Sequence, residues 1–195
     1  MSAPEAAAIA DAVGVGLGPA VLAGEAALEP VAIPGVGEDV AWLVRADDAD
    51  HPMQAYVGVW PDGAVRVLSD DQPAFFDLVG ASGADIRDPS AALDYVRAFL
   101  EVTRAPTEIL REVQDAGDLR WRPGSSGEEA NRARFEGEGA IEPAVAEPSE
   151  GGFHVAVTLV VDQRIQRNEF EVSRDGSIRA SHRVLADDLP LPIAR

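Results

Sequence analysis

Apolar and polar residues alternate most regularly between Gly151 and Leu185, and this stretch predicts three consecutive antiparallel strands. Phe153, Val155, Val157, Leu159 and Val161 fall on one side of the first strand, with His154, Ala156, Thr158, Val160 and Asp162 on the other. That period of two is the signature of a strand with one packed face. Register then fixes the loop of the following hairpin. A two-residue loop at Asp175-Gly176 sets Val172 against Arg179 and Phe170 against Ser181, whereas a three-residue loop, Arg174 to Gly176, sets Val172 against Ile178 and Phe170 against Ala180. Only the second opposes apolar partners, and it places Gly176 at the left-handed position of the accompanying bulge, so the three-residue loop is expected.

The same test applies to a second hairpin, Gln54 to Ser69, where a loop Pro61-Asp62-Gly63 pairs Val59 with Val65 and Val57 with Val67. Its other face carries Tyr56, Gly58 and Trp60 on one strand and Arg66 and Leu68 on the next, with Arg66 diagonal to both aromatics and within cation-π reach. Tyr56, Trp60, Arg66 and Leu68 are therefore the candidate partner-binding patch, against the competing reading in which the aromatics pack beneath a helix. VGVWPDGAVRV (57–67) and FEVSRDGSIRA (170–180) share an apolar-x-Val-x-x-Asp-Gly-x-(Val/Ile)-Arg pattern, each preceded by another strand and a polar turn. Either an αβββ unit is duplicated or the two hairpins converged on the same turn chemistry.

Helical patterns lie before and between the meanders. Ser2 and Glu5 have capping-box spacing, and the alanine-rich run behind them predicts a helix to about Ala12. Gly14 to Pro19 reads as a flexible joint, since a dinucleotide fingerprint needs glycine where Pro19 stands and a strand before it. A second helix is expected from Pro19 to Leu28, then a strand over Asp39 to Ala46 and an acidic turn, 47–51, that lacks the glycine and closing glutamate of a calcium loop. The best helix begins at Asp88-Pro89 with the stripe Ala92, Leu93, Val96, Phe99 and Leu100. Another is expected from Thr107 to Gly117 with Ile109, Leu110, Val113 and Ala116 inward. Pro73 to Val79 reads as an extra helical turn and Leu119 to Arg122 as a short strand around Trp121. Residues 123–150 read as a mobile polar loop, and Asp187 to Arg195 as an extended tail.

These elements give an α+β fold of helices packed on antiparallel meanders, built as two αβββ units or as one continuous curved sheet. Helix followed by meander resembles cystatin-like architecture in outline; without a diagnostic motif, the resemblance implies no functional residues. The expected division is 1–86, a helical segment with a three-strand meander; 87–188, a helical hairpin with a four-strand meander; and the tail 189–195.

Charge narrows the partners. Thirty-four acidic residues face sixteen basic ones, all arginine, for a net charge of −18. Such a surface repels phosphate backbones and anionic lipid, so nucleic acid and membrane are excluded as partners, and a basic protein or self-association is favoured. No cysteine is present, which removes disulfides, thiolate metal sites and cysteine nucleophiles. No segment approaches the ~20 apolar residues of a membrane span, and the start MSAPEAAAIAD lacks the basic residues of a secretory signal, so a cytoplasmic location is expected.

Candidate chemistry is sparse. Of the three histidines, His51 sits in the acidic turn, while His154 and His182 would form a two-histidine site only if their strands were neighbours. A Walker motif is impossible without lysine, and neither Gly80-Ala81-Ser82-Gly83 nor Gly124-Ser125-Ser126-Gly127 has nucleophile-elbow spacing. No metal or cofactor is expected. If the sheet forms an open cone, Asp94, Trp121 and His182 are the candidate lining of its cavity. The chain therefore reads as a small soluble bacterial protein acting as a non-enzymatic binding or adaptor module. The alternatives are a cone-type ligand-binding or enzymatic domain and a structural subunit of a homo-oligomer.

Overall fold

The structure, a computed structural model, describes residues 5–47, 53–122, 124, 128–138 and 141–191. It is an α+β fold with antiparallel meanders. The chain forms two compact units, one of residues 1–106 with 173–177 and the other of 107–172 with 178–195.

The first unit runs α1 (Ala6–Ala23), β1 (Ala27–Ile33), β2 (Gly37–Ala46), β3 (Met53–Val59), β4 (Val65–Val67), α2 (Gln72–Ser82) and α3 (Pro89–Thr103), with its strands in the order β1-β2-β3-β4. The expected joint in α1 is a kink. Gly14 leaves helical geometry (φ 66°, ψ −153°), and a Cβ on Gly18 would lie 2.6 Å from the carbonyl oxygen of Ala10. The helix resumes beyond the kink and stops at Ala23, where left-handed Gly24 (φ 72°) caps it. Ala27–Ile33, expected partly as helix, is strand β1 because it has a partner in β2; Pro30 is tolerated opposite Trp42 because β1 is an edge strand.

Ile9, Ala10, Leu17 and Val21 of α1 pack with Val44, Ala46 and Val57 in one core. With 18 residues and mean hydropathy 1.7, α1 is long and apolar enough to cross a membrane by length and composition. This corrects the expectation that no segment approaches a span; alanine and glycine supply the apolarity in place of large side chains. The capping residue expected at Ser2 and the acidic loop around His51 lie outside the described residues.

Helix α3 begins as its sequence predicts, with Asp88 accepting the Ala91 N–H at 2.9 Å and Pro89 at the first position. Its buried face is Ala92, Tyr95, Val96, Phe99 and Val102, rotated slightly from the expected stripe so that Leu93 and Leu100 are only half-buried. Helix α2 is longer than one turn, and Asp71 caps it by accepting the Ala74 N–H at 2.9 Å. Phe75 and Phe99 meet edge to face with ring centres 5.2 Å apart, and Phe75 lies 5.8 Å from Tyr95. Both helices therefore belong with the first sheet, whereas the expected division had placed α3 with the second half.

The second unit contains β5 (Leu110–Glu112), a 3-10 turn (Ala116–Asp118), α4 (Glu128–Glu138), β6 (Val145–Ser149), β7 (Gly152–Val161), β8 (Arg164–Ser173) and β9 (Ile178–Ala186). Its strand order is β5-β7-β8-β9, and β6 also pairs with β7. The helix expected over Thr107 to Gly117 is replaced by β5, whose Leu110, Arg111 and Glu112 pair with Val161, Val160 and Leu159; the open edge of β7 outweighs local helix propensity. Residues 123–150, expected as a loop, hold α4 and β6, and Phe135 is 2% exposed. The tail is packed as well. Leu189 and Leu191 join Trp121, Phe135, Ile141, Val160 and Ile165 in one core, and the Arg122 N–H bonds the Pro190 carbonyl at 2.8 Å where a strand around Trp121 was expected.

Arg167 is 7% exposed, yet its Nη1 donates to the carbonyls of Glu142 (2.9 Å) and Pro143 (3.1 Å) and to Thr158 Oγ1 (3.0 Å), tying the approach to β6 onto the sheet.

Both hairpins have the expected register: Val57 opposes Val67 and Val59 opposes Val65, as Val172 opposes Ile178 and Phe170 opposes Ala180. Their turns match bond for bond. Trp60 N–H reaches the Ala64 carbonyl at 2.8 Å and Ser173 N–H the Ser177 carbonyl at 2.9 Å, while Asp62 and Asp175 each accept, at 3.0 Å, the N–H two residues on. Gly63 (φ 86°) and Gly176 (φ 84°) are both left-handed. Each turn joins the last two strands of a four-strand meander preceded by a helix, α1 in one case and α4 in the other, so each meander is one strand longer than αβββ and the sheets are two.

The surroundings of the two glycines differ. A Cβ on Gly63 meets nothing within 4 Å, whereas one on Gly176 would lie 2.5 Å from Val79 Cγ1 and 2.9 Å from the Tyr95 hydroxyl. Gly63→Ala should therefore cost only the left-handed strain, about 1 kcal/mol. Gly176→Ala adds overpacking and should cost about 3 kcal/mol or more, as read from urea unfolding midpoints. Equal costs would show that the turn at 173–177 is not enclosed.

Candidate functional site

The structure brings Tyr56, Trp60, Arg66 and Leu68 together, but under a helix. Tyr56 and Trp60 are each 6% exposed and Leu68 is fully buried. A Cβ on Gly58 would lie 2.8 Å from Leu78 Cδ2, so the missing side chain lets Leu78 of α2 seat directly on this face. An open recognition patch is thus corrected to a covered one. Arg66 alone stays exposed, with its guanidinium 4.7 Å from the Trp60 ring centre, the cation-π contact that the diagonal placement predicts.

The Tyr56 hydroxyl donates to Glu101 Oε1, and Arg104 holds the same carboxylate at 3.2 Å. Burial, and then the bonded carboxylate, push the Tyr56 pKa up to about 12.

The candidate cavity lining is divided between the two units. Asp94 is exposed on α3 in the first unit and pairs with Arg97 at 3.0 Å. Trp121 and His182 belong to the second unit. Trp121 is packed in the core, its ring centre 6.3 Å from Phe135 and its indole N–H without a partner among the described residues. His182, expected on an inward position, is exposed on β9 opposite Asn168. His154 lies on β7, and β8 runs between β7 and β9, so the two histidines do not share neighbouring strands. Among the described residues, no three or more His, Asp or Glu side chains converge as metal ligands.

Strand β9 is the feature that sequence reasoning undervalued. It is the last strand of its sheet and, from Arg179 to Val184, exposed on both faces, although Phe170 and Val172 of the neighbouring β8 are buried. The Ser173 N–H bonds the Ser177 carbonyl while the Ser173 carbonyl accepts from Gly176, the bulge pattern that puts Ser173 and Ser177 in phase with the hydrogen-bonded positions, which recur every second residue in an antiparallel ladder. Arg179, Ser181 and Arg183 therefore bond inward to β8, while Ala180, His182 and Val184 direct their N–H and C=O groups out of the sheet edge.

The side chains of β9 also alternate. Arg179 and Arg183 share one face, whereas Ala180, His182 and Val184, the last 45% exposed, share the other. Among the described residues, neither arginine lies within ion-pair distance of a carboxylate, although Glu171 is opposite Arg179 in the ladder. The available signal was compositional: Ile178–Ala186 contains no acidic residue in a chain that has 34.

No family model, curated protein or solved structure matches this chain.

For Tyr56, folding raises the pKa from 10.0 to about 12, so the folded state holds the proton more tightly. Its contribution to stability is complete below pH 10 and is lost as pH rises through 12. Tyr56→Phe should accordingly lose less stability than the wild type across that window in urea titrations at stepped pH. Parallel pH profiles for the two proteins would contradict the Tyr56-Glu101 bond.

Proposed function

We propose that this protein is a non-enzymatic binding module that takes an extended segment of a partner protein onto the free edge of β9. One observation carries the reading: a nine-residue edge strand with exposed faces, outward backbone groups and cationic side chains that have no ion-pair partner among the described residues. Strand addition draws affinity from the main chain and specificity from alternate side chains. Here the alternation asks for carboxylates opposite Arg179 and Arg183 and apolar residues opposite Ala180, His182 and Val184. The partner is thus a chain with a short acidic-apolar strand, even if its overall charge is basic. Self-pairing of two β9 edges is disfavoured, because it brings the arginines of both copies into one ladder.

A fluorescein-labelled peptide alternating glutamate and valine tests the proposal by anisotropy. Saturable binding is expected, with no binding by the matching lysine-valine peptide. Ala180→Pro removes an outward N–H without touching the ladder to β8, and it should weaken binding about tenfold or more while leaving the thermal midpoint nearly unchanged. The double variant Arg179→Glu/Arg183→Glu should exchange the peptide preference. Failure of the glutamate peptide to bind, or equal affinity for Ala180→Pro, rejects the proposal.

A further inference from the structure

Beside the turn 173–177, within the first unit, a cleft of about 330 Å³ is lined by Phe76, Val79, Gly80, Gly83, Asp175 and Ser177, among others. The charged residue of its lining is acidic. Asp175 extends from the turn, and its Oδ1 accepts the Ser177 N–H at 3.0 Å, which orients the carboxylate and holds it below the usual carboxylate range. Two bonds fix the turn beneath it: Ile86 N–H to the Arg174 carbonyl at 3.0 Å and the Tyr95 hydroxyl to the Gly176 carbonyl at 2.6 Å.

The C-terminal end of α2 also lines the cleft, and there left-handed Gly83 (φ 78°) returns its N–H to the Val79 carbonyl. That end of a helix carries partial negative charge, and α2 has no basic residue in its last turn to offset it. Phe76 adds an aromatic ring, whose faces are electron-rich, and glycines at 80 and 83 keep the wall low, since a Cβ on either would meet nothing within 4 Å.

A fixed carboxylate, the negative end of a helix and an aromatic ring around one small cleft are the elements of cation recognition. We propose that this cleft is a binding site for a guanidinium or alkylammonium group, with the carboxylate of Asp175 as its counter-ion and Phe76 as its apolar wall. The group comes either from an arginine or lysine side chain of a protein or from a small free amine. The site is independent of β9, whose side chains select the opposite charge.

The test is a titration with methylguanidinium and with a short arginine-containing peptide, followed by the amide resonances of Gly83 and Ser177, with sodium acetate as the control. Saturable shifts with both cations and none with acetate are expected. An arginine peptide at least tenfold tighter than methylguanidinium identifies a protein side chain as the source, and equal affinities identify a small amine. Asp175→Asn keeps the oxygen that accepts from Ser177, so the turn should persist with an unchanged thermal midpoint while cation affinity falls about tenfold. In the unaltered protein, raising the salt from 0.15 M to 1 M should weaken binding severalfold. Absence of saturable shifts, equal affinity in Asp175→Asn, or insensitivity to salt overturns the proposal.

Discussion

The hydroxyl of Tyr95, 2.6 Å from the carbonyl oxygen of Gly176, holds a turn from late in the chain among helices from its first half. Burial, with the nearby Asp175 carboxylate, pushes the ionisation of this phenol upward, so it remains a protonated donor where a free tyrosine begins to ionise. Around it the tolerances are small. Val79 and Ala84 stand where a Gly176 side chain would be, and the Ile86 N–H takes the Arg174 carbonyl that the turn presents. The packing of α2 against α3, through Phe75, Tyr95 and Phe99, thus forms the socket as well as the core.

This constraint separates two turns that are otherwise the same. Pro61-Asp62-Gly63 and Arg174-Asp175-Gly176 share their ladder bond, their Asp-to-backbone bond and their left-handed glycine. One projects into open space and the other is enclosed. Enclosure gives Asp175 its place in a cleft lined by the negative end of α2, whereas Asp62 closes its own turn through the Ala64 N–H. At the other end of β9, a register shift between Ile165 and Gln166 returns the chain to the core at Ala186, leaving the middle of the strand uncovered on both faces.

The two hairpin registers were legible in the sequence because both depend on near neighbours: apolar partners must oppose each other, and only glycine is comfortable at the left-handed position. The start of α3 was legible for the same reason, through Asp88 and Pro89. Elements whose state is decided by distant partners were not. Leu110–Glu112 has a helical pattern until β7 offers it an edge, and Ala27–Ile33 continues a helical run until β2 pairs with it. Periodicity also placed Tyr56, Trp60 and Leu68 on one face without saying that Leu78 would cover it through the gap at Gly58. Tyr95 fell beside the expected stripe because a phenol that needs a buried acceptor 81 residues away leaves no local trace. The open edge of β9 had a trace in its missing acidic residues, but exposure of both faces is a tertiary fact.

The turn at 173–177 is as much a part of the first unit as its central strands, and backbone amide hydrogen exchange tests this most directly. The Ile86 and Gly176 amides, bonded to Arg174 and Ser173, should exchange only on global opening, with protection within about tenfold of Val57 in β3, while the Gly63 amide in the open twin turn exchanges far faster. Exchange of Ile86 and Gly176 at the rate of Gly63 would contradict the account.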